Sequence, residues 1–205
     1  MPLDDLGSWR RTHYTSQITP DLDGEEVIIL GWVLELRDLG GIKFLILRDR
    51  EGTVQVTMPK KLVAKEILKK VKELKRESVI GVRGIVRAMP SAPRRVEVIP
   101  VELKILNTAK SPLPIDTTGR VPADLDTRLN ARILDLRVPE NLAIFKIHHT
   151  ALNAIREFLI REGFIEVVTP KILATATEGG AAPVSYTHLR AHETEADLVC
   201  RLLLE

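Results

Sequence analysis

Gly31-Trp32-Val33-Leu34-Glu35-Leu36-Arg37-Asp38-Leu39-Gly40-Gly41-Ile42-Lys43-Phe44-Leu45-Ile46-Leu47-Arg48-Asp49 sets two aliphatic runs on either side of an Asp-Leu-Gly-Gly break. Such a break between apolar runs is a turn signal, so the stretch predicts a hairpin. Its first strand reaches back to Val27 and covers Val27–Leu36, interrupted by Gly31, and its second is Lys43–Leu47. Arg48–Gly52 turns the chain into a third strand, Thr53–Met58. The period then changes. Val63, Ile67, Val71 and Leu74 recur at spacings of four, four and three within Lys61–Arg76, which predicts an amphipathic helix. Val79–Met89 and Val96–Leu106 return to strands. Three strands, a helix and two strands is the layout of a five-stranded Greek-key barrel of the OB type, whose faces commonly bind oligonucleotides. A different small β-barrel shares this order, because order alone does not fix the pairing.

Beyond the barrel, Thr108–Asp135 carries Pro112, Pro114, Gly119 and Pro122 with little periodicity and reads as a linker. Pro139–Glu162 is the strongest helical pattern, with Pro139 suited to a first helical position and Gly163 to a left-handed cap. Phe164–Thr169 reads as a strand stopped by Pro170. No internal repeat or low-complexity segment is visible.

The 205 residues are 44% apolar and 28% charged, with a formal net charge of +2. That balance is ordinary for a globular protein and gives no bulk signal for nucleic acid or membrane. No apolar run approaches the ~18 residues of a membrane helix. The N-terminal segment lacks the apolar core of a signal peptide. The single cysteine, Cys200, excludes a disulfide framework and a zinc finger. A soluble, cytoplasmic protein with no membrane partner is expected.

Basic residues are uneven. Lys60–Arg76 holds seven lysines and one arginine against Glu66 and Glu73. Such a stripe is either a solvated helix face or a track for a phosphate backbone. More specific is the strand surface bearing Arg37, Phe44 and Arg48, which would combine cations with a flat ring, as unpaired bases require. Gln55 on the next strand could hydrogen-bond a base edge. Taken alone, Phe44 fits either a core or a platform, and Trp32 reads as core. His188 and His192 stand at i, i+4 but lack a third ligand, and His148 and His149 point to different helix faces, so no metal site is expected.

The run Gly31-Trp32-Val33 … Arg37-Asp38-Leu39-Gly40 … Phe44 … Leu47-Arg48-Asp49 … Gln55-Val56 resembles the anticodon-binding barrel of class IIb aminoacyl-tRNA synthetases, the aspartyl, asparaginyl and lysyl enzymes. The resemblance implies that Phe44 stacks on the central anticodon base and that Arg37, Arg48 and Gln55 contact the anticodon. Leu125-Asp126-Thr127-Arg128-Leu129 … Ile133-Leu134-Asp135-Leu136-Arg137 looks like the entry to the class II catalytic domain. The Pro139–Glu162 helix with Gly163–Val167 and Thr169-Pro170-Lys171-Ile172 resembles class II motif 1, which builds a homodimer interface and sends the proline matching Pro170 toward the partner's active site. Ala174–Ala181 resembles the mobile loop of archaeal-type aspartyl enzymes, in which the glutamate matching Glu178 faces the substrate's ammonium group.

The resemblance therefore implies an OB-fold anticodon-binding domain over residues 1–107, a hinge over 108–138, and the start of an antiparallel-sheet class II catalytic domain over 139–182. The intact enzyme would use ATP and Mg2+ to join aspartate, through aspartyl-adenylate, to the tRNA for aspartate and in some members for asparagine. The two later arginine motifs that hold ATP are not found after Ala182. The chain is thus expected to keep anticodon binding, to contain no catalytic residue, and to bind neither ATP nor Mg2+. Residues 183–205 read as a non-native tail resembling translated adapter sequence, with a genuine C-terminal helix as the alternative. A freestanding OB-fold module that captures tRNA or single-stranded RNA without catalysis is the second reading.

Overall fold

The computed structural model describes residues 3–168. Two compact units are formed, Met1–Lys146 and Ile147–Glu205. In the first, β1 (Glu26–Asp38), β2 (Ile42–Arg48), β3 (Thr53–Pro59), β4 (Val79–Ala88) and β5 (Val96–Asn107) close into a barrel in the order β1-β2-β3-β5-β4. Every neighbouring pair is antiparallel except β3 with β5, which run parallel. This is the OB-type pairing, which element order alone leaves open.

Closure depends on β1, whose Trp32 is opposite Arg48 of β2 and Val79 of β4. Beside it, a Cβ on Gly31 would lie 2.3 Å from the Arg48 carbonyl oxygen. Only glycine lets the two backbones approach so closely. On β4, Gly84 sits at a register shift against β5, where a Cβ would lie 2.5 Å from the Ile99 oxygen.

Alternation then sorts the side chains. Val27, Ile29 and Val33 of β1 point inward with Leu45 and Leu47 of β2, Val54 and Val56 of β3, Ile80 and Val82 of β4 and Val98 and Ile105 of β5. The helix α1 (Lys65–Glu73) and its flanks lay Val63, Ile67, Val71 and Leu74 into the same core. These are the four positions that its period selects. Burying them contributes on the order of 6–12 kcal/mol before chain entropy is subtracted. The helix is shorter than the periodic segment because residues 60–64 form a turn in which Leu62 and Val63 donate to the Pro59 carbonyl.

Three expectations are corrected. Trp32 is half-buried on the outer face of β1, with the Arg137 guanidinium 4.4 Å from its ring centroid, and is not in the core. The linker contains two short helices, α2 (Leu125–Asn130) and α3 (Arg132–Asp135), and buries Ile115, Thr117, Asp135 and Val138. Residues 164–168 form no strand, since a strand needs a hydrogen-bonded neighbour and these have none among the described residues.

The long helix α4 (Pro139–Arg161) starts at its proline as expected. It ends where Gly163, at φ +87°, donates to Ile160 and Phe164 donates to Leu159, a left-handed cap. None of its residues is buried, and Ile144, Ile147, Ile155 and Phe158 are all more than half exposed. Among the described residues no helix is long and apolar enough to cross a membrane.

Candidate nucleic-acid interface

One groove of about 450 Å³ opens on the outer face of the barrel, with Arg37, Phe44, Gln55 and Glu97 in its lining. The strands explain the grouping. Phe44 and Ile46 alternate with buried Lys43, Leu45 and Leu47, so period two turns the phenyl ring outward. Register then sets Arg37 opposite Phe44, Ile46 opposite Gln55, and Gln55 beside Glu97 on the parallel neighbour. Phe44 is half-buried on this outer face. The ring therefore lies on the outer face and not in the barrel core.

The polar groups at the floor are ordered. Thr57 Oγ1 donates to Glu97 Oε2 at 2.6 Å, and Gln55 Nε2 donates to Thr57 Oγ1 at 3.1 Å. Glu97 is only 4% exposed, so its carboxylate orients its neighbours from beneath. Arg37 stands at the rim, its guanidinium donating to Glu35 at 2.9 Å while most of it faces solvent. That hydrogen bond is the main cause holding the Glu35 carboxyl below the usual carboxylate range, with Arg120 adding to it. The wall formed by Met89–Pro93 is latched by Arg94, whose guanidinium donates to the Thr15, Ser16 and Thr53 carbonyls. Arg94 adopts φ +60°, a left-handed conformation that costs a non-glycine residue about 1–2 kcal/mol.

Arg48, expected among the anticodon contacts, does not share this groove. Its parity on β2 is that of Phe44, but residues of the linker cover that end of the strand. The guanidinium donates to Glu77 at 2.6 Å and to the Thr117 and Arg137 carbonyls at 3.2 and 3.1 Å. It is 8% exposed. Burial pulls its pKa below the ordinary arginine value, while Glu77 pushes the other way. Glu77 also accepts from Arg137 and from Thr117 Oγ1. This junction joins barrel to linker. Glu97 is the converse case, a groove residue that the sequence does not single out. Its one local signal is an acid between two valines, Val96-Glu97-Val98.

Asp135, at 0% exposure, accepts from Arg128 at 2.8 Å, Arg132 at 2.7 Å and Asn141 at 2.7 Å. The Arg128 hydrogen bond, helped by Arg132, lowers its pKa against the opposing effect of burial. A carboxyl with a depressed folded pKa stabilises the fold above its unfolded value, and that contribution fades as pH falls toward the folded one. Asp135→Asn should therefore flatten the acid limb of a urea-midpoint profile between about pH 5 and pH 3. A profile parallel to wild type would show that the carboxylate does not carry this contribution.

Pro170 and Glu178, assigned to the dimer contact and to aspartate, lie outside the described residues, as does the segment 183–205. Among the described residues no three His, Cys, Asp or Glu side chains converge to hold a metal.

Two family profiles match the chain: OB-fold nucleic acid binding domain over residues 27–106, and tRNA synthetases class II (D, K and N) over residues 124–198. The second match runs into the segment 183–205. Among curated relatives, the aspartate–tRNA(Asp/Asn) ligase of Archaeoglobus fulgidus is 53% identical over 84% of this chain and 41% of its own length. The aspartate–tRNA(Asp) ligase of Pyrococcus horikoshii is 55% identical over 86% of this chain and 41% of its own. The crystal structure of asparaginyl-tRNA synthetase from Pyrococcus horikoshii, complexed with asparaginyl-adenylate, superposes with a TM-score of 0.74 at 34% identity, over 84% of this chain and 39% of that one. The chain thus spans about two fifths of the length of the relatives it matches. With a nucleic-acid barrel at its N-terminal end and class II sequence after it, the chain belongs to the aspartyl/asparaginyl-tRNA synthetase family, of which it carries the anticodon-binding domain and part of the catalytic domain.

Proposed function

We propose that residues 3–107 read the anticodon of tRNA for a cytoplasmic aspartate–tRNA ligase, whose full reaction joins aspartate, ATP and tRNA through aspartyl-adenylate. The observation that carries this reading is the convergence of Phe44, Gln55, Glu97 and Arg37 on one open groove. A base stacked on Phe44 turns its hydrogen-bonding edge to Gln55 and Glu97, and its phosphate to Arg37. The carboxylate accepts from a base N–H, and the amide can donate or accept. The Pro170 segment supplies a homodimer contact and Glu178 an anionic partner for the aspartate ammonium group. The exposed apolar residues of α4 fit a role in self-association, which static light scattering would report as a mass above the monomer; a clean monomer counts against it.

The test is direct binding of RNA hairpins to the full chain. A hairpin whose loop displays the aspartate anticodon should bind at least several-fold more tightly than one with the central base changed. Equal affinity for both would remove the anticodon reading. Residues 1–205 alone are expected to produce no aspartyl-tRNA from aspartate, ATP and tRNA. Measured turnover would overturn that expectation and leave the family unchanged.

A further inference from the structure

The lysines of α1 are not used by the groove, and they are arranged. Ile67 and Val71 face the core, so at 100° per residue Lys65, Lys69 and Lys72 fall together on the opposite side of the helix. All three are exposed, and none has an ion-pair partner among the described residues. Lys70, by contrast, faces back toward the barrel and donates to Asp4 at 2.7 Å and to the Leu103 carbonyl. The acids of the helix, Glu66 and Glu73, flank one side of the lysine row and leave the other side open.

The row also begins at the rim of the groove. Lys60 donates its backbone N–H to Gly41, next to the groove residue Ile42, and its charge helps to lower the Asp38 pKa. Lys60 and Lys61 are both exposed, so cationic side chains run from the groove's edge onto the helix.

We infer that α1 is a second RNA contact, a sequence-independent track for the phosphate backbone of the RNA whose loop occupies the groove. The inference rests on the anticodon reading for its occupant. Phosphates spaced along a backbone match a row of unpaired cations, and neutralising them releases counterions without reading a base. The groove then supplies specificity and the helix supplies salt-dependent affinity.

The test uses the full chain, the aspartate-anticodon hairpin and the hairpin with a changed central base, each titrated across a series of KCl concentrations. A Lys65→Gln, Lys69→Gln, Lys72→Gln triple variant removes the charge and keeps good helix formers on an exposed face. Its melting temperature reports that the barrel is intact. The slope of log affinity against log salt should become shallower by about 2–3, close to one unit for each phosphate that the variant no longer neutralises. The fall in affinity should be the same for both hairpins, because phosphates carry no sequence. An unchanged slope in a folded variant that still prefers the anticodon hairpin would overturn the track and leave the anticodon reading standing. A fall confined to the matched hairpin would also overturn it. If the wild-type chain shows no preference between hairpins but the variant's slope falls, the anticodon reading fails and the track stands.

Discussion

Glu77→Ala should cost the barrel about 3–5 kcal/mol, read as a fall in unfolding free energy from urea titration at neutral pH. The size follows from what the substitution leaves behind. Arg48 and Arg137 both donate to this carboxylate, and Arg48 is almost fully buried. Without Glu77 two guanidinium groups face one another with only carbonyl oxygens and the Thr117 hydroxyl to answer them. Removing one partner of a buried pair is expensive because the uncompensated charge stays in the low-dielectric interior. Glu77 also sits at φ +65°, where a side chain costs about 1–2 kcal/mol. Glu77→Gly should therefore lose less than Glu77→Ala. A double variant, Glu77→Gln with Arg48→Met, should recover part of the stability, since it removes the stranded cation itself. A Glu77→Ala chain within ~1 kcal/mol of wild type would mean that water reaches Arg48 and screens it.

Phe44→Ala should weaken binding of the aspartate-anticodon hairpin by about 1–3 kcal/mol, the usual worth of one base stacked on an aromatic ring, or roughly 5- to 150-fold in Kd. Phe44 packs on the outer face, so the melting temperature should fall little by comparison. Phe44→Tyr keeps a flat ring and should restore most of the affinity. Unchanged affinity in the alanine variant would remove Phe44 from the platform. Arg48→Ala gives the contrasting result. It should lower stability through the same junction as Glu77, and any effect on RNA should follow the weakened fold.

Much of the barrel is legible in the sequence because its signals are local. Period 3.6 in α1 chooses Val63, Ile67, Val71 and Leu74 for the core. The Asp-Leu-Gly-Gly turn sets the hairpin. The chain's resemblance to class IIb synthetases rests on the same residues, and the relatives bear it out across more than four fifths of the chain. The differences between expectation and fold have a common origin. The strand expected at 164–169 rests on composition, but a strand exists only when another strand pairs with it, and residues 164–168 have no such neighbour among those described. Trp32 reads as core because tryptophan is large and apolar, yet its position on β1 puts it outside, where Arg137 covers it.

By itself the sequence determined the order of the strands, the buried face of α1 and the start and cap of α4, since each depends on residues a few positions apart. Tertiary structure decided which outward residues stay available. Arg48 shares Phe44's side of β2 but is covered from Thr117 and Arg137, which lie 69 and 89 residues away. Glu97 comes to the groove because β5 pairs in parallel with β3 and sets it beside Gln55. Alternation fixes the side of a strand to which a residue belongs. What then covers that side, or lies next to it, is set by chain returning from far along the sequence, and no local period encodes it.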